Sequence, residues 1–203
     1  MIALIDYGAG NLTSVRKALA ALQADVHTPA MPADLEAAVG IIVPGVGHFA
    51  STSALAGGWR DAILARVRSG VPLLGICLGM QWLFEGSEEA PDVPGLGLIQ
   101  GRCVRLSGPV KIPHVGWNSL EATRPSRLLA AVGHGAQVYF THSYAAPVTP
   151  ECAAVTTHAT TFAAAVERDL IFGVQFHPEK SSAAGLRIVR NFLDVVEANH
   201  RLP

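Results

Sequence analysis

The sequence predicts an α/β fold: a mostly parallel, open sheet with helices on both faces and an antiparallel extension. Two observations carry this prediction. In the first part of the chain, short apolar runs alternate with helix-like segments, a pattern typical of parallel βαβ units. From about residue 95 to residue 167, short β-rich runs lie among turn residues instead, which favours antiparallel pairing.

The elements of the first half follow from apolar periodicity and from residues that begin or end a segment. Asn11 can cap a helix that runs to about Ala24, and Pro44-Gly45 ends a buried strand. The predicted strands here are residues 2–6, 25–27 and 40–43 and the apolar run before Cys77. The other predicted helices run from near Trp59 to Arg68 and from near Leu78.

The second half is expected to contain strands at residues 137–140, 161–166 and 171–175. The last of these strands leads into a turn at residues 177–179, and a helix follows from about Ser182. Apolar residues recur on one face of that helix, which predicts that it covers the sheet: Leu186, Val189, Leu193 and Val196.

Length, charge and cysteine usage narrow the function classes. The 203 residues fit one domain that spans 1–203. Fifteen basic and sixteen acidic residues give a net charge of −1, so no nucleic-acid or membrane surface is expected. No run approaches the about 18 apolar residues of a membrane span, and Asp6 interrupts a possible signal peptide, so a cytoplasmic location is expected. Three scattered cysteines predict neither a disulfide framework nor a zinc ribbon.

One of these cysteines occupies an unusual position. Cys77 ends an apolar run and stands between Gly75 and Gly79, where a buried strand should turn into a helix. Small flanking residues let the backbone bend sharply and let a substrate approach, and the N-terminus of the following helix favours the thiolate. The same arrangement with serine is the nucleophile elbow of α/β hydrolases. The pattern therefore predicts a cysteine nucleophile.

His177 and Glu179 offer a base and its partner. Pro178 biases His177 toward an extended conformation, so the two side chains can point the same way. A carboxylate beside an imidazole fixes its tautomer and stabilises its protonated form. With Cys77 this predicts a Cys–His–Glu constellation, although α/β hydrolases place the acid before the histidine. A zinc deaminase would need a Pro-Cys-x-x-Cys segment, which is lacking, so no metal is expected.

Four loops should meet at one edge of the sheet. Residues 7–11, residues 44–48, the Cys77 turn and residues 177–179 each follow an expected strand. The C-terminal ends of parallel strands share an edge, and ligands bind there. This convergence predicts a single site.

Two of these loops are rich in glycine. Gly8-Ala-Gly10 does not predict a dinucleotide site, because Thr13 stands where the third glycine would be. In the loop at 44–47, the backbone N–H of Val46 or Gly47 could be aimed at an oxyanion, together with the N–H of Leu78.

Taken together, these motifs resemble the triad (class I) glutamine amidotransferases, at 75–81 for the nucleophile and at 177–179 for the catalytic pair. Within that class the chain resembles the glutaminase subunits of imidazole glycerol phosphate synthase, from about residue 4 to the last helix. The motifs that carry the closer resemblance are 6–11, 44–47, 113–118, 139–144 and 177–181. Subunits of anthranilate or aminodeoxychorismate synthesis usually continue the nucleophile turn with His-Gln, where this sequence has Met80-Gln81.

The resemblance implies a flavodoxin-like form of the fold and a role for individual residues. It implies that Cys77 is the nucleophile, His177 the general acid/base and Glu179 its orienter. The residues implied to bind glutamine are Gly47, Gln81, Glu89, His142, Ser143 and Tyr144. Those implied to face or signal to a partner are Asn11, Trp117, Asn118 and Lys180.

The implied activity is hydrolysis of L-glutamine through a cysteine thioester, without a cofactor. Ammonia would pass to a (β/α)8-barrel cyclase partner in a heterodimer that converts PRFAR to imidazole glycerol phosphate and AICAR in histidine biosynthesis. We further expect an oxyanion donor that is misoriented until the liganded partner turns it inward. The alternatives are an amidotransferase subunit of another pathway, a thiol hydrolase on the same type of sheet, and a non-catalytic domain with an oxidation-sensing thiol.

Overall fold

The structure is a computed structural model, and it describes residues 1–201. The strands in chain order are β1 (Ile2–Leu4), β2 (Val26–His27), β3 (Gly40–Val43), β4 (Leu73–Ile76), β5 (Gly86–Ser87), β6 (Arg102–Arg105), β7 (His114–Ser119), β8 (Glu121–Ala122), β9 (Gln137–His142), β10 (Tyr144–Ala145), β11 (Cys152–His158), β12 (Thr160–Arg168) and β13 (Ile171–Val174). The α-helices are α1 (Leu12–Ala21), α2 (Gly58–Arg68), α3 (Leu78–Leu83) and α4 (Ser182–His200), and 3-10 segments lie at Pro32–Ala37, Phe49–Leu55 and Pro178–Lys180. None of the helices in the described range offers the apolar length that a bilayer crossing requires.

Eight strands form the main sheet, in the order β2-β1-β3-β4-β13-β12-β11-β8. The first five of these pair in parallel. The remaining three continue the sheet with antiparallel pairing. The predicted fold class is therefore confirmed. The strand β13 lies between β4 and β12, so it joins the parallel part of the sheet to the antiparallel part.

Helices cover both faces of this sheet, as predicted. Side chains in β1 alternate between two apolar clusters: Ile2 and Leu4 belong to the cluster that contains the buried residues of α1 and α4. Ala3 and Ile5 belong to the cluster that contains Ile63 of α2 and the apolar side chains of α3. Parallel strands buried on both faces read as continuous apolar runs, which explains why β3 and β13 lack alternation in the sequence.

Several element predictions need correction. The Oδ1 of Asn11 accepts a hydrogen bond from the N–H of Ser14 at 3.2 Å, so it caps α1 as predicted. The helix ends at Ala21 rather than near residue 24, because Gln23 takes a left-handed φ of 57°. The predicted strand at 137–140 lies outside the main sheet, since β9 pairs with β7 in a separate antiparallel ribbon. Leu186 is 36 % exposed, because the buried face of α4 centres on Ile188 and its neighbours.

The four predicted loops meet at one edge. They follow β1, β3, β4 and β13, which are neighbours in the parallel part of the sheet. A Cβ added to Gly10 would lie 3.6 Å from the Cα of Gly45, and one added to Gly45 would lie 2.8 Å from the Cβ of Leu78. The loops therefore pack against one another, and the candidate site is built there.

Candidate active site

Cys77 stands at the sharp turn between β4 and α3. Its backbone has φ 52° and ψ −106°, a conformation that residues other than glycine rarely adopt. The residue is buried, with 4 % of its surface exposed. Non-glycine residues held in such strained conformations cluster at active sites, because the surrounding structure must force them there. The predicted strand–turn–helix geometry is present at this cysteine.

The glycines on either side of Cys77 have a different role from the predicted one. Neither Gly75 nor Gly79 has a positive φ, so the sharp bend is made by Cys77 itself. A Cβ on Gly79 would collide with the carbonyl oxygen of Val43, and one on Gly75 would lie 2.6 Å from the carbonyl oxygen of Gly79. Both glycines are needed because α3 packs directly on the backbones of β3 and β4.

His177 and Glu179 lie on the turn after β13, the strand that pairs in parallel with β4. The Nδ1 of His177 and the Oε1 of Glu179 are 2.8 Å apart, and both side chains are 2 % exposed. Since the carboxylate accepts, Nδ1 carries the proton and Nε2 is left for chemistry. Within residues 1–201, Nε2 has no hydrogen-bond partner. The turn is held by Ser181, whose Oγ donates to the carbonyl oxygen of His177 at 2.6 Å.

The electrostatic surroundings of His177 favour its protonated form. Burial by itself would lower the pKa of His177, but the nearby Cys77 thiolate and the hydrogen-bonded Glu179 carboxylate outweigh it and raise the pKa to about 10. The imidazole therefore keeps its proton at neutral pH beside the sulfur. A thiolate next to an imidazolium is the reactive form of a thiol nucleophile.

A cavity of about 310 Å³ opens in front of Cys77, at the lower end of the range for small-molecule pockets. It contains all six side chains or backbone segments that the sequence predicts to bind glutamine. The lining residues are Gly47, Cys77, Leu78, Gln81, Glu89, Pro113, Thr141, His142, Ser143 and Tyr144. Residues from five separate segments of the chain thus converge on one polar cavity.

Gln81 and Glu89 are fixed in the cavity wall by hydrogen bonds. The Nε2 of Gln81 donates to the carbonyl oxygen of Tyr144 at 2.7 Å and to the Oε1 of Gln175 at 3.1 Å. Both amide hydrogens are then used, and the Oε1 of Gln81 remains as an acceptor. The Oε2 of Glu89 accepts from the N–H of Phe49 at 2.7 Å. An acceptor oxygen and a carboxylate on one wall suit a ligand that carries an ammonium group.

Two histidines continue this polar network: His142, which lines the cavity, and His114 next to it. The Nδ1 of His142 lies 2.9 Å from the carbonyl oxygen of Tyr144, and its Nε2 lies 3.2 Å from the Nδ1 of His114. The carbonyl can only accept, so we assign the proton of each ring to Nδ1. Burial, assisted by neighbouring histidines, lowers the pKa of His142 to about 3 and that of His114 to about 4.

Within residues 1–201, no three His, Cys, Asp or Glu side chains are grouped as metal ligands.

Two of the three predicted oxyanion donors, Leu78 and Gly47, line the cavity, but the N–H of Leu78 is not free. The N–H of Leu78 donates to the carbonyl oxygen of Gly45 at 3.3 Å, so it is engaged within the loop rather than directed at the sulfur. Gly47 lines the cavity with φ +99°, whereas Val46 is half-buried and is not a lining residue. An oxyanion site at Leu78 therefore requires the Gly45 carbonyl to rotate away.

An exposed aromatic surface lies next to the His177 turn. Trp117 on β7 is 51 % exposed, and its ring centroid lies 6.1 Å from that of Tyr139 on β9. The Nζ of Lys180 lies 5.8 Å from the centroid of Tyr139, and Val115 is 57 % exposed on the same strand as Trp117. We call Val115, Trp117, Tyr139 and Lys180 the ribbon face. It contains two of the four residues predicted to face a partner.

The other two predicted partner residues have internal roles. Asn118 turns inward: its Nδ2 donates to the carbonyl oxygen of Thr157 at 3.1 Å and lies 3.4 Å from the Nε2 of His114. The side chain of Asn11 is exposed, but it caps α1 as described above. Asn118 nevertheless remains half-buried rather than fully buried, so its predicted partner role stays a prediction.

Sequence reasoning missed three residues that belong to this site. Gln175 is fully buried, and its Nε2 donates to the Sγ of Cys77 at 3.6 Å. The signal was a polar residue at the end of an apolar strand, two positions before His177 and so on the same face of an extended segment. His114 and Tyr139 lay inside motifs that carried the resemblance, but only the three-dimensional pairing of β7 with β9 reveals their contacts.

An open α/β sheet that brings a buried imidazole–carboxylate pair next to a thiol in a polar cavity defines the class of enzymes with a cysteine nucleophile. The family described as "Glutamine amidotransferase class-I" matches residues 3–196. Solved structures agree on the fold: a "glutamine amidotransferase" has a TM-score of 0.75 at 20 % identity, with 97 % of this chain and 100 % of that chain covered. PurLQS from Thermotoga maritima has a TM-score of 0.77 at 16 % identity, with 96 % and 98 % covered.

Relatives with a much higher sequence identity to this chain are HisH subunits. The imidazole glycerol phosphate synthase subunit HisH of Halobacterium salinarum is 49 % identical over 202 residues, which cover 95 % of this chain and 92 % of the relative. The HisH subunit of Methanothermobacter thermautotrophicus is 44 % identical over 199 residues, covering 98 % and 100 %. The chain therefore belongs to the class-I glutamine amidotransferase family and, within it, to the HisH subunits of imidazole glycerol phosphate synthase.

Proposed function

We propose that this protein is the glutaminase subunit of imidazole glycerol phosphate synthase, and that it hydrolyses L-glutamine to glutamate and ammonia. Cys77 serves as nucleophile, His177 as general acid/base and Glu179 as the group that orients His177. One observation carries the proposal. Cys77 lines a polar cavity, and its sulfur interacts with the buried His177, although 100 positions separate the two residues. The Nδ1 of His177 in turn lies 2.8 Å from the Oε1 of Glu179.

The first half of the reaction forms a thioester. The Sγ of Cys77 attacks the side-chain carbonyl carbon of glutamine, a C–S bond forms, and the carbonyl electron pair moves to oxygen. Backbone N–H groups at Leu78 and at Val46 or Gly47 stabilise that oxyanion once the Gly45 carbonyl has rotated away. As the C–N bond breaks, the protonated Nε2 of His177 gives its proton to the departing nitrogen, and ammonia leaves.

The second half regenerates the thiolate. A water molecule attacks the thioester carbon while Nε2 of His177, now neutral, accepts its proton. The C–S bond breaks, its electron pair returns to sulfur, and glutamate is released. Because Glu179 holds Nδ1 throughout, Nε2 is the only ring nitrogen that exchanges protons. No cofactor takes part in either step.

The cavity also accounts for the choice of substrate. Glu89 and the free Oε1 of Gln81 are placed to receive the α-ammonium group of glutamine, and Ser143, Tyr144 and Gly47 complete the wall. His142 holds the Tyr144 carbonyl from behind. This arrangement orients the free amino acid with its side-chain amide toward Cys77.

The ammonia is used by a partner. The ribbon face supports a docking surface next to the His177 turn, since it presents an exposed Trp117 beside the half-buried Tyr139, and both residue types are enriched at interfaces. The partner we propose is the (β/α)8-barrel cyclase subunit, which converts PRFAR to imidazole glycerol phosphate and AICAR in histidine biosynthesis.

We propose that the chain acts as one domain over 1–203. Its three free cysteines fit the reducing cytoplasm.

Replacing the nucleophile tests the proposal. Cys77→Ala should lower glutamine hydrolysis by about four orders of magnitude or more, while the complex with the cyclase still works with added ammonium salts. Cys152→Ala removes a buried thiol that does not line the cavity, and it should leave glutamine hydrolysis intact. Comparable ammonia release by Cys77→Ala would overturn the proposal. Faster wild-type turnover of esters or peptides than of glutamine would support a different thiol hydrolase.

A further inference from the structure

Gln175 is a buried polar residue that the reaction described so far does not use. It follows β13 directly and is fully buried. Its backbone N–H donates to the carbonyl oxygen of Ala164 at 2.9 Å, so the residue still belongs to the hydrogen-bond ladder of the sheet. Its side chain lies between two residues of the site: Oε1 is 3.1 Å from the Nε2 of Gln81, and Nε2 is 3.6 Å from the Sγ of Cys77.

The direction of these hydrogen bonds is fixed by chemistry. The carbonyl oxygen of Tyr144 can only accept, so Gln81 must present its NH₂ group there, at 2.7 Å. The second hydrogen of that group points to Gln175, which must present its oxygen in return. The NH₂ group of Gln175 is then left facing the sulfur of Cys77. The amide of Gln175 cannot flip without placing two NH₂ groups against each other and its acceptor oxygen against the sulfur.

The sulfur is flanked by two groups, the imidazole of His177 and the amide of Gln175. Within residues 1–201, the Nε2 of Gln175 meets the full hydrogen-bond geometry to the sulfur, whereas the Nε2 of His177 does not. A hydrogen bond to a charged acceptor is worth more than one to a neutral acceptor, so this contact favours the thiolate over the thiol and over the thioester.

We propose that Gln175 is a further catalytic residue, whose Nε2–H stabilises the Cys77 thiolate before attack and again when the thioester is hydrolysed. In that last step the C–S bond breaks and its electron pair returns to sulfur, and the N–H of Gln175 donates a hydrogen bond to the thiolate that forms. The donor is neutral and keeps its proton throughout, so it cannot quench the nucleophile as an acid would. This inference rests on the proposed glutaminase activity. It identifies the residue that stabilises the Cys77 sulfur when that sulfur departs from the thioester.

The test separates this role from a merely structural one by measuring the sulfur directly. The isolated protein is treated with iodoacetamide at a series of pH values, without glutamine and without the partner, and the alkylation of Cys77 is followed by mass spectrometry. His177 and Tyr7, the other titratable groups that act on the sulfur, remain in place in every variant.

Two variants and a control are compared with the wild type. Gln175→Glu keeps the shape and the acceptor for Gln81 but removes the donor, and Gln175→Met keeps the length without any hydrogen bond. In both variants, the pH at which the alkylation rate of Cys77 is half its maximum should rise by one unit or more. Both should lower kcat for glutamine about 10- to 100-fold, with KM changed less than threefold. Gln137→Glu makes the same exchange at an exposed position and should change neither quantity.

The outcomes are distinguishable. Folded Gln175 variants with a wild-type alkylation profile and kcat would overturn the role of Gln175, although the glutaminase proposal would stand. A wild-type protein without glutaminase activity would instead overturn the proposed function. If the variants do not fold, the wild type decides: the side-chain amide NMR signals of Gln175 should shift with the same pH midpoint as alkylation, and signals that stay constant would overturn the inference.

Discussion

Lowering the pH from 6.5 to 4.5 should destabilise this protein through two histidines that the fold keeps uncharged. His142 and His114 are 6 % and 3 % exposed, and burial lowers their pKa values to about 3 and about 4. In the unfolded chain a histidine has a pKa of about 6.5. Between these limits the unfolded state binds more protons than the native state, so the free energy of unfolding falls as the pH falls.

The size of the effect follows from these values. One histidine that remains neutral in the native state loses about 2 kcal/mol between pH 6.5 and pH 4.5. We assign that full amount to His142 and about half of it to His114, which stacks on the half-exposed ring of His158. The sum is about 3 kcal/mol, a large part of a typical stability. His177 offsets this by only about 0.4 kcal/mol, because it is protonated throughout in the native state while the unfolded state takes up its remaining half proton below pH 6.5.

Urea unfolding followed by circular dichroism at pH 6.5, 5.5 and 4.5 measures this slope. The double variant His114→Gln/His142→Gln should be less stable at pH 6.5 and should lose most of the pH dependence. The exposed His134→Gln serves as control and should keep the wild-type slope. A wild-type unfolding free energy that changes by less than about 0.5 kcal/mol over this range would refute the reasoning, since it would mean that the histidines titrate alike in both states.

Three further predictions concern packing and docking. Gly79→Ala should lower the free energy of unfolding by about 3 kcal/mol and abolish glutaminase activity, because the collision with Val43 outweighs the gain of about 1 kcal/mol in helix propensity. Thermal unfolding measures this loss. The control Gly133→Ala, whose added Cβ meets open space, should leave the stability unchanged. Tyr7→Phe should raise the melting temperature by about 3 °C or more, because the Tyr7 hydroxyl is buried without a partner in the described residues; a lower melting temperature would contradict this. Trp117→Ala should weaken cyclase binding at least about tenfold in calorimetric titration without lowering stability, whereas the equally exposed Val148→Ala should bind normally.

The sequence predicted the parts of the fold that depend on local signals. Continuous apolar runs located β3, β4 and β13, and the side chain of Asn11 located the start of α1. The Cys77 turn was recognisable because a reactive residue type stood at a strand–helix junction, and that junction is where the chain bends. The register of parallel strands then brings His177 to Cys77, since the ends of paired neighbours must coincide.

The features that were missed depend on contacts between distant positions. The hydrogen bond from Gln175 to Cys77 joins residues 98 positions apart, and the inward turn of Asn118 depends on Thr157, 39 positions away. The engagement of the Leu78 N–H depends on the rotation of one peptide at Gly45, and glycine allows several rotations at similar energy. No residue pattern near these positions specifies such partners, so only the folded arrangement reveals them.

Because β13 is inserted between β4 and β12, ribosomal synthesis supplies one of the central strands of the sheet among the last. Until Ile171–Val174 has emerged, β4 and β12 add two open edges to those at β2 and β8, and such edges invite aggregation and call for chaperone protection. The same delay has a metabolic benefit. An unfinished copy holds a thiol without its imidazole, so incomplete chains leave the glutamine pool of the cell untouched.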